Sequence, residues 1–164
     1  MIRRLLRHLF APSSARVFPP QALDRIAAAV AAGEARHTGE VCFAVESALP
    51  LRAVLAGEDP RAHAEAAFAR LRVWDTAANN GVLLHLLLAD HRIEIIADRG
   101  LAGRVSDAQW RGVCELMEAR LRAGDAEGAA VQGVAAASAL LEAHFPRADG
   151  DVDHNELPDL PHLS

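Results

Sequence analysis

The sequence predicts an α/β fold, a three-layer α/β/α sandwich with a small mixed sheet and elements in the order α-β-α-β-β-α-α. Three observations carry that prediction. Two short apolar runs point to buried strands: 41–45 is continuous and β-branched at its ends, as for a strand buried on both faces, and 82–88, which includes His85, is the most apolar stretch of the chain. The stretch between them contains a helix with clear start signals, long enough to cross from one parallel strand to the next. After a hairpin arm at 92–97, the rest of the chain carries two well-capped helices of helical periodicity.

Each element follows from local chemistry. Phe18-Pro19-Pro20 punctuates the start of a helix over 21–34, with Leu23, Ile26, Ala27 and Val30 on one face. Gly39 breaks the chain before the first strand, 41–45. The segment 47–57 is open to two readings: Leu51, Val54 and Leu55 either begin a helical turn or line a loop. Asp59-Pro60 opens the next helix, Asp as N-cap and Pro at the first helical position, with Ala64, Ala67, Phe68 and Leu71 inward. Gly81 precedes the most apolar stretch, the central strand. Asp90-His91 makes a tight turn, and 92–97 returns as the second arm of a hairpin. Ser106-Asp107-Ala108-Gln109 is a capping box for a helix over Asp107–Arg122, with Trp110, Val113, Cys114, Met117 and Leu121 along its stripe. Gly124 ends it, and Asp125 caps a last helix running to His144.

Three segments result: a basic stretch at 1–17, the folded domain at 18–146 and an acidic, extended tail at 147–164. In the tail, Asp149, Asp151 and Asp153 imitate a calcium loop, but His154 replaces the required glycine and Leu160 the closing acid. The basic stretch, with Arg3, Arg4 and Arg7, reads as a frayed end or an amphipathic turn on a surface.

Composition narrows the function. All 17 basic residues are arginine and the net charge is −5, without the clustered basic face that nucleic acid requires. No segment has the apolar length of a membrane span. Cys42 and Cys114 share no short motif and read as buried thiols of a reducing, cytoplasmic protein. The histidines are scattered, and His85 reads as a satisfied core residue. No Ser-His-Asp spacing, phosphate-cradling glycine loop or HExxH pair is present.

Topology supplies the one candidate site. A right-handed crossover makes the strands 41–45 and 82–88 parallel, and the hairpin sends the third strand back. The start of the first, the start of the second and the end of the third then share one edge. Glu40, the loop 75–80 and Asp98-Arg99-Gly100 meet there. Carboxylates with Asn oxygens suit calcium or magnesium, and Arg99 either neutralises them or holds a phosphate. Turn formation is the competing account, with Asp75 and the Asn79-Asn80-Gly81 run serving local geometry.

These residues resemble the TPM domain family. Thr38-Gly39-Glu40-Val41, Phe68-Ala69-Arg70-Leu71 with Trp74-Asp75, Asn79-Asn80-Gly81-Val82-Leu83-Leu84 and Asp98-Arg99-Gly100-Leu101 match its pattern, and Asn155-Glu156-Leu157-Pro158-Asp159 is similar to the ending of short soluble bacterial members. The resemblance implies an α/β/α domain with a polar site at Asp75, Asn79, Asn80 and Asp98, beside Glu40 and Arg99. It also implies two activities among relatives, an acid phosphatase in a plant thylakoid member and calcium binding in others. Ala102 stands where many relatives carry an acid, and the signal peptide and anchor common in the family are missing. The expectation is therefore a non-enzymatic accessory domain with a protein partner and calcium or magnesium as its candidate ion. The alternatives are a metal-assisted phosphatase and a scaffold in weak peripheral contact with membrane.

Overall fold

The computed structural model describes residues 2–148, 150 and 155–164. Its four-stranded sheet has the order β3-β2-β1-β4, with β1 at Glu40–Glu46, β2 at Gly81–Leu87, β3 at Arg92–Ala97 and β4 at His162–Leu163. β1 runs parallel to β2 and β4, and β2 pairs antiparallel with β3. The expected crossover and hairpin are both present. The helices are α1 (Ile2–Leu9), α2 (Ser14–Val17), α3 (Pro20–Glu34), α4 (Leu51–Ala56), α5 (Pro60–Arg70), α6 (Asp107–Arg122) and α7 (Ala126–His144).

The apolar runs lack alternation because both faces of the sheet are covered. Val41, Phe43, Val45, Val82, Leu84 and Leu86 pack with α3, α6 and α7 residues in one core. Cys42, Ala44 and Leu83 face the other way, against Ala64 and Ala67 of α5. Small residues on both sides of that second layer let α5 lie close to the sheet. Asp59 caps α5 by accepting from the Arg61 N–H at 3.0 Å, and the Ser106/Gln109 capping box of α6 is complete.

Four elements, α1, α2, α4 and β4, go beyond the expected order. The ambiguous segment 47–57 contains α4, closed by Gly57 at φ +69°. The N-terminal stretch is helical because Asp90, in the turn between β2 and β3, gathers it: Arg4 lies 2.9 Å, Arg7 3.2 Å and His8 3.2 Å from its carboxylate. The described tail is docked rather than solvated. Leu157 is buried in the α5-side core, its N–H donating to Glu40 Oε2 at 3.2 Å, and β4 lengthens the sheet beyond β1. These docking contacts join residues more than 80 positions apart, which local periodicity does not reveal. The Asp149, Asp151 and Asp153 run and His154 lie outside the described residues.

Candidate functional site

The register sets Glu40 opposite Gly81, and Val82 opposite Ala97, so the three strand ends form one rim. Two glycines shape it by close approach. A Cβ on Gly81 would stand 2.0 Å from Val73 O, and one on Gly100 would stand 2.4 Å from Asn79 O. Asn79 takes the left-handed conformation, φ 52°, that Asn tolerates better than most residues. The turn chemistry expected of Asn79-Asn80-Gly81 therefore divides: Asn79 supplies the positive φ, and Gly81 the missing side chain.

The rim side chains are committed as follows. Asp75 is half-exposed and pairs with Arg72. Asn79 Oδ1 accepts from Arg99 Nε at 2.9 Å. Asn80 is buried and donates to Thr38 O at 2.9 Å, tying the rim to the approach of β1. Glu40 is buried and receives Leu157 N–H. Asp98 caps the short turn Arg99–Leu101 with Oδ1, which accepts from the Arg99 N–H at 2.7 Å. Its other oxygen, Oδ2, is buried with no hydrogen-bond partner among the described residues. No group of three or more His, Cys, Asp or Glu side chains able to hold a metal ion occurs among the described residues. Asp98 Oδ2 is thus the one oxygen of the expected set that is both buried and unpaired.

From Asp98 and Arg99 a groove of about 1010 Å³ runs along the outer edge of β3, walled by α6 and by Arg61 of α5. The hydrogen-bond phase of the hairpin defines its floor. Asp98 N–H donates to Gly81 O at 2.9 Å across the Val82–Ala97 pair, so that pair is the non-hydrogen-bonded kind. Leu83–Ile96 and His85–Glu94 are then the bonded pairs. Ile93, Ile95 and Ala97 consequently turn their N–H and C=O groups away from β2 and into the groove.

Charge at the groove is balanced and partly paired. Glu94, buried, takes Arg92 at 2.9 Å and Arg61 at 3.6 Å. Its hydrogen bond holds the Arg92 guanidinium proton more tightly than usual. Burial pushes the Cys114 thiol up to about 11, with Glu94 and Glu118 adding to the rise, so it is no thiolate at neutral pH.

Sequence reasoning missed this groove, although one signal was available: a hairpin arm with no later strand to cover it ends at a sheet edge. It also missed the burial of His37, three residues before the start of β1. His37 Nδ1 lies 2.9 Å from Gly39 O, while His37 Nε2 and the Ser138 hydroxyl are buried without hydrogen-bond partners among the described residues. Burial lowers His37 to about 4, its bond to Gly39 O opposing and the Arg36 and Arg147 charges reinforcing.

The fold and rim define an α/β/α domain with an open strand edge beside a polar turn. The chain belongs to the TPM domain family, whose model matches residues 13–140. Among solved structures, it is similar to the BA42 protein of the psychrophilic bacterium Bizionia argentinensis, with 25% identity and a TM-score of 0.75 over 87% of this chain and 92% of that one. It is also similar in fold to the N-terminal domain of a P. gingivalis protein, with 19% identity and a TM-score of 0.64, covering 80% of this chain and 81% of the other. No curated protein matches it.

Proposed function

We propose that this chain is a non-enzymatic binding domain that receives an extended segment of a partner protein along the outer edge of β3, with calcium or magnesium as a second ligand at Asp98. The observation that carries the reading is the outward-turned backbone of β3 beside an open groove, where Ile95 already bonds to the Cys114 sulfur and Ala97 is the more exposed position. An extended segment completes such an edge through main-chain hydrogen bonds, and the walls select its side chains. Trp110 offers apolar contact, and Arg111 and Glu115, four residues apart on α6, offer both charges. Cytoplasmic residence belongs to the same proposal, supported by two free cysteines. Among the described residues, no helix is long and apolar enough to cross a membrane.

The cation part rests on Asp98 Oδ2. A hard cation takes about six to eight oxygens, so carbonyls, water and a released Asn79 side chain would complete its shell.

Panning a random heptapeptide display library on the full chain tests the groove. Enriched peptides should bind Ala97→Pro at least tenfold more weakly, because that change removes an outward N–H and no ladder bond. Equal binding to both, or no enrichment, ends the reading. Calorimetric titration with calcium and with magnesium tests the ion, and heat that disappears in Asp98→Asn is the expected result. No heat and no melting shift with either ion removes that part.

A second reading, metal-assisted hydrolysis of phosphate esters, is favoured by the same unpaired oxygen and by Arg99, whose guanidinium bonds to Asn79 on the same rim and is a natural phosphate partner. It requires turnover of p-nitrophenyl phosphate with magnesium or calcium present, lost in Asp98→Asn. Pure protein without turnover excludes it.

A further inference from the structure

The helix α1 is docked with the wrong face outward for a soluble protein. At 100° per residue, Leu9, Ile2, Leu6 and Phe10 fall within an arc of about 80–100°. Phe10 continues the last turn, its N–H donating to Leu6 O at 3.0 Å. A core-facing helix would bury that stripe. Here Ile2 is 74% exposed, Leu6 47%, Leu9 62% and Phe10 75%. The opposite side faces inward instead: Leu5 packs against the Leu49, Ala53, Val54 and Leu87 cluster, His8 is buried with its Nδ1 accepting from Leu49 N–H at 3.0 Å, and Arg4 and Arg7 reach Asp90. Helix α4, which packs against α1, adds Leu51 and Leu55, both exposed and one turn apart.

Charge identifies the occupant. Four arginines and no acidic residue precede Asp24, whereas the rest of the chain holds thirteen arginines against twenty-two acids, a net −9. Neither α1 nor α4 carries an acid. Exposed Arg3 and Arg52 flank the leucines, and Arg7 keeps more than half its side chain exposed while bonded to Asp90. An anionic surface would attract this end alone and repel the remainder, which orients the molecule.

We propose that the α1–α4 face is a docking surface for an anionic lipid bilayer. Ile2, Leu6, Leu9, Phe10, Leu51 and Leu55 enter the boundary between headgroups and acyl chains, and Arg3, Arg7 and Arg52 meet the lipid phosphates. The Asp90 clamp is what makes the surface preformed, since an isolated eight-residue helix would not hold its shape in water. This face lies at the opposite end of β2 from the rim, about 20 Å from it.

Flotation of the full chain with vesicles of phosphatidylcholine, with and without 30% phosphatidylglycerol, tests the proposal. The expected result is binding to anionic vesicles at least tenfold stronger than to neutral ones, weakened by 0.5 M salt. Leu6→Ser/Phe10→Ser should lose at least tenfold in binding with its melting temperature unchanged, because both side chains are exposed. Absence of binding to anionic vesicles overturns the proposal, as does equal binding by the double variant. A wild-type dimer in light scattering that the double variant abolishes, without lipid binding, assigns the face to a second copy of the chain and equally overturns it.

Discussion

Stability should fall steeply between pH 6.5 and about 4 because of one residue, His37. Its side chain is fully buried, its Nδ1 is held by Gly39 O, and its Nε2 has no hydrogen-bond partner among the described residues. Protonation would place a buried cation there, beside the Arg36 and Arg147 charges, with the bond to Gly39 O and the Glu142 charge opposing that cost. The folded protein therefore keeps His37 neutral down to about 4, whereas the unfolded chain takes up the proton at the ordinary 6.5. The sign follows directly. Above pH 6.5 both states are neutral and His37 costs nothing. Below it the unfolded state binds the extra proton, so stability is lost progressively and the loss is complete near pH 4. At 1.36 kcal/mol per pH unit, the whole interval is worth about 3 kcal/mol, a large part of the roughly 5–15 kcal/mol that holds a domain together. Urea unfolding of wild type and His37→Asn at pH 7.5, 6.5, 5.5 and 4.5 measures it. Asn can still donate to Gly39 O but does not titrate, so the carboxylates and other histidines cancel in the difference. The stability gap between the two proteins should close, or reverse, by about 1–3 kcal/mol from pH 7.5 to 4.5. A gap that stays constant over that range refutes the reasoning.

Two further outcomes follow from the packing. Gly81→Ala and Gly100→Ala each drive a methyl group into a backbone carbonyl, at 2.0 Å from Val73 O and 2.4 Å from Asn79 O, and should cost about 1–3 kcal/mol or more in urea unfolding; unchanged midpoints would show that the rim backbone is not held closely. Burial pushes the Cys42 thiol to about 12 and Cys114 to about 11, so both should resist iodoacetamide at pH 7.5 in the folded protein and react fully in urea, while rapid labelling of the native chain would contradict those environments.

Much of the fold was legible because its signals are local. The Asp59-Pro60 and Ser106–Gln109 starts, the Asp125 cap and the apolar runs depend on residues within one or two turns of each other. Parallel pairing of β1 with β2 then followed from crossover handedness, and with it the meeting of three strand ends at one rim. What the rim side chains do there was not legible. Arg72 takes Asp75, Arg99 takes Asn79, and Thr38 O takes Asn80. Each is a choice among polar partners that only three-dimensional placement can make.

By itself, the sequence determined the layer architecture, the strand directions and the family, since periodicity, capping and short motifs act over a few residues. Tertiary structure alone decided that Asp90 would fold the N-terminal arginines into a helix with Ile2, Leu6 and Leu9 outward, that Leu157 and β4 would dock the tail, and that β3 would leave an open edge beside α6. Those outcomes depend on contacts between distant segments, whose free energies are settled by mutual fit and burial. No local pattern encodes them.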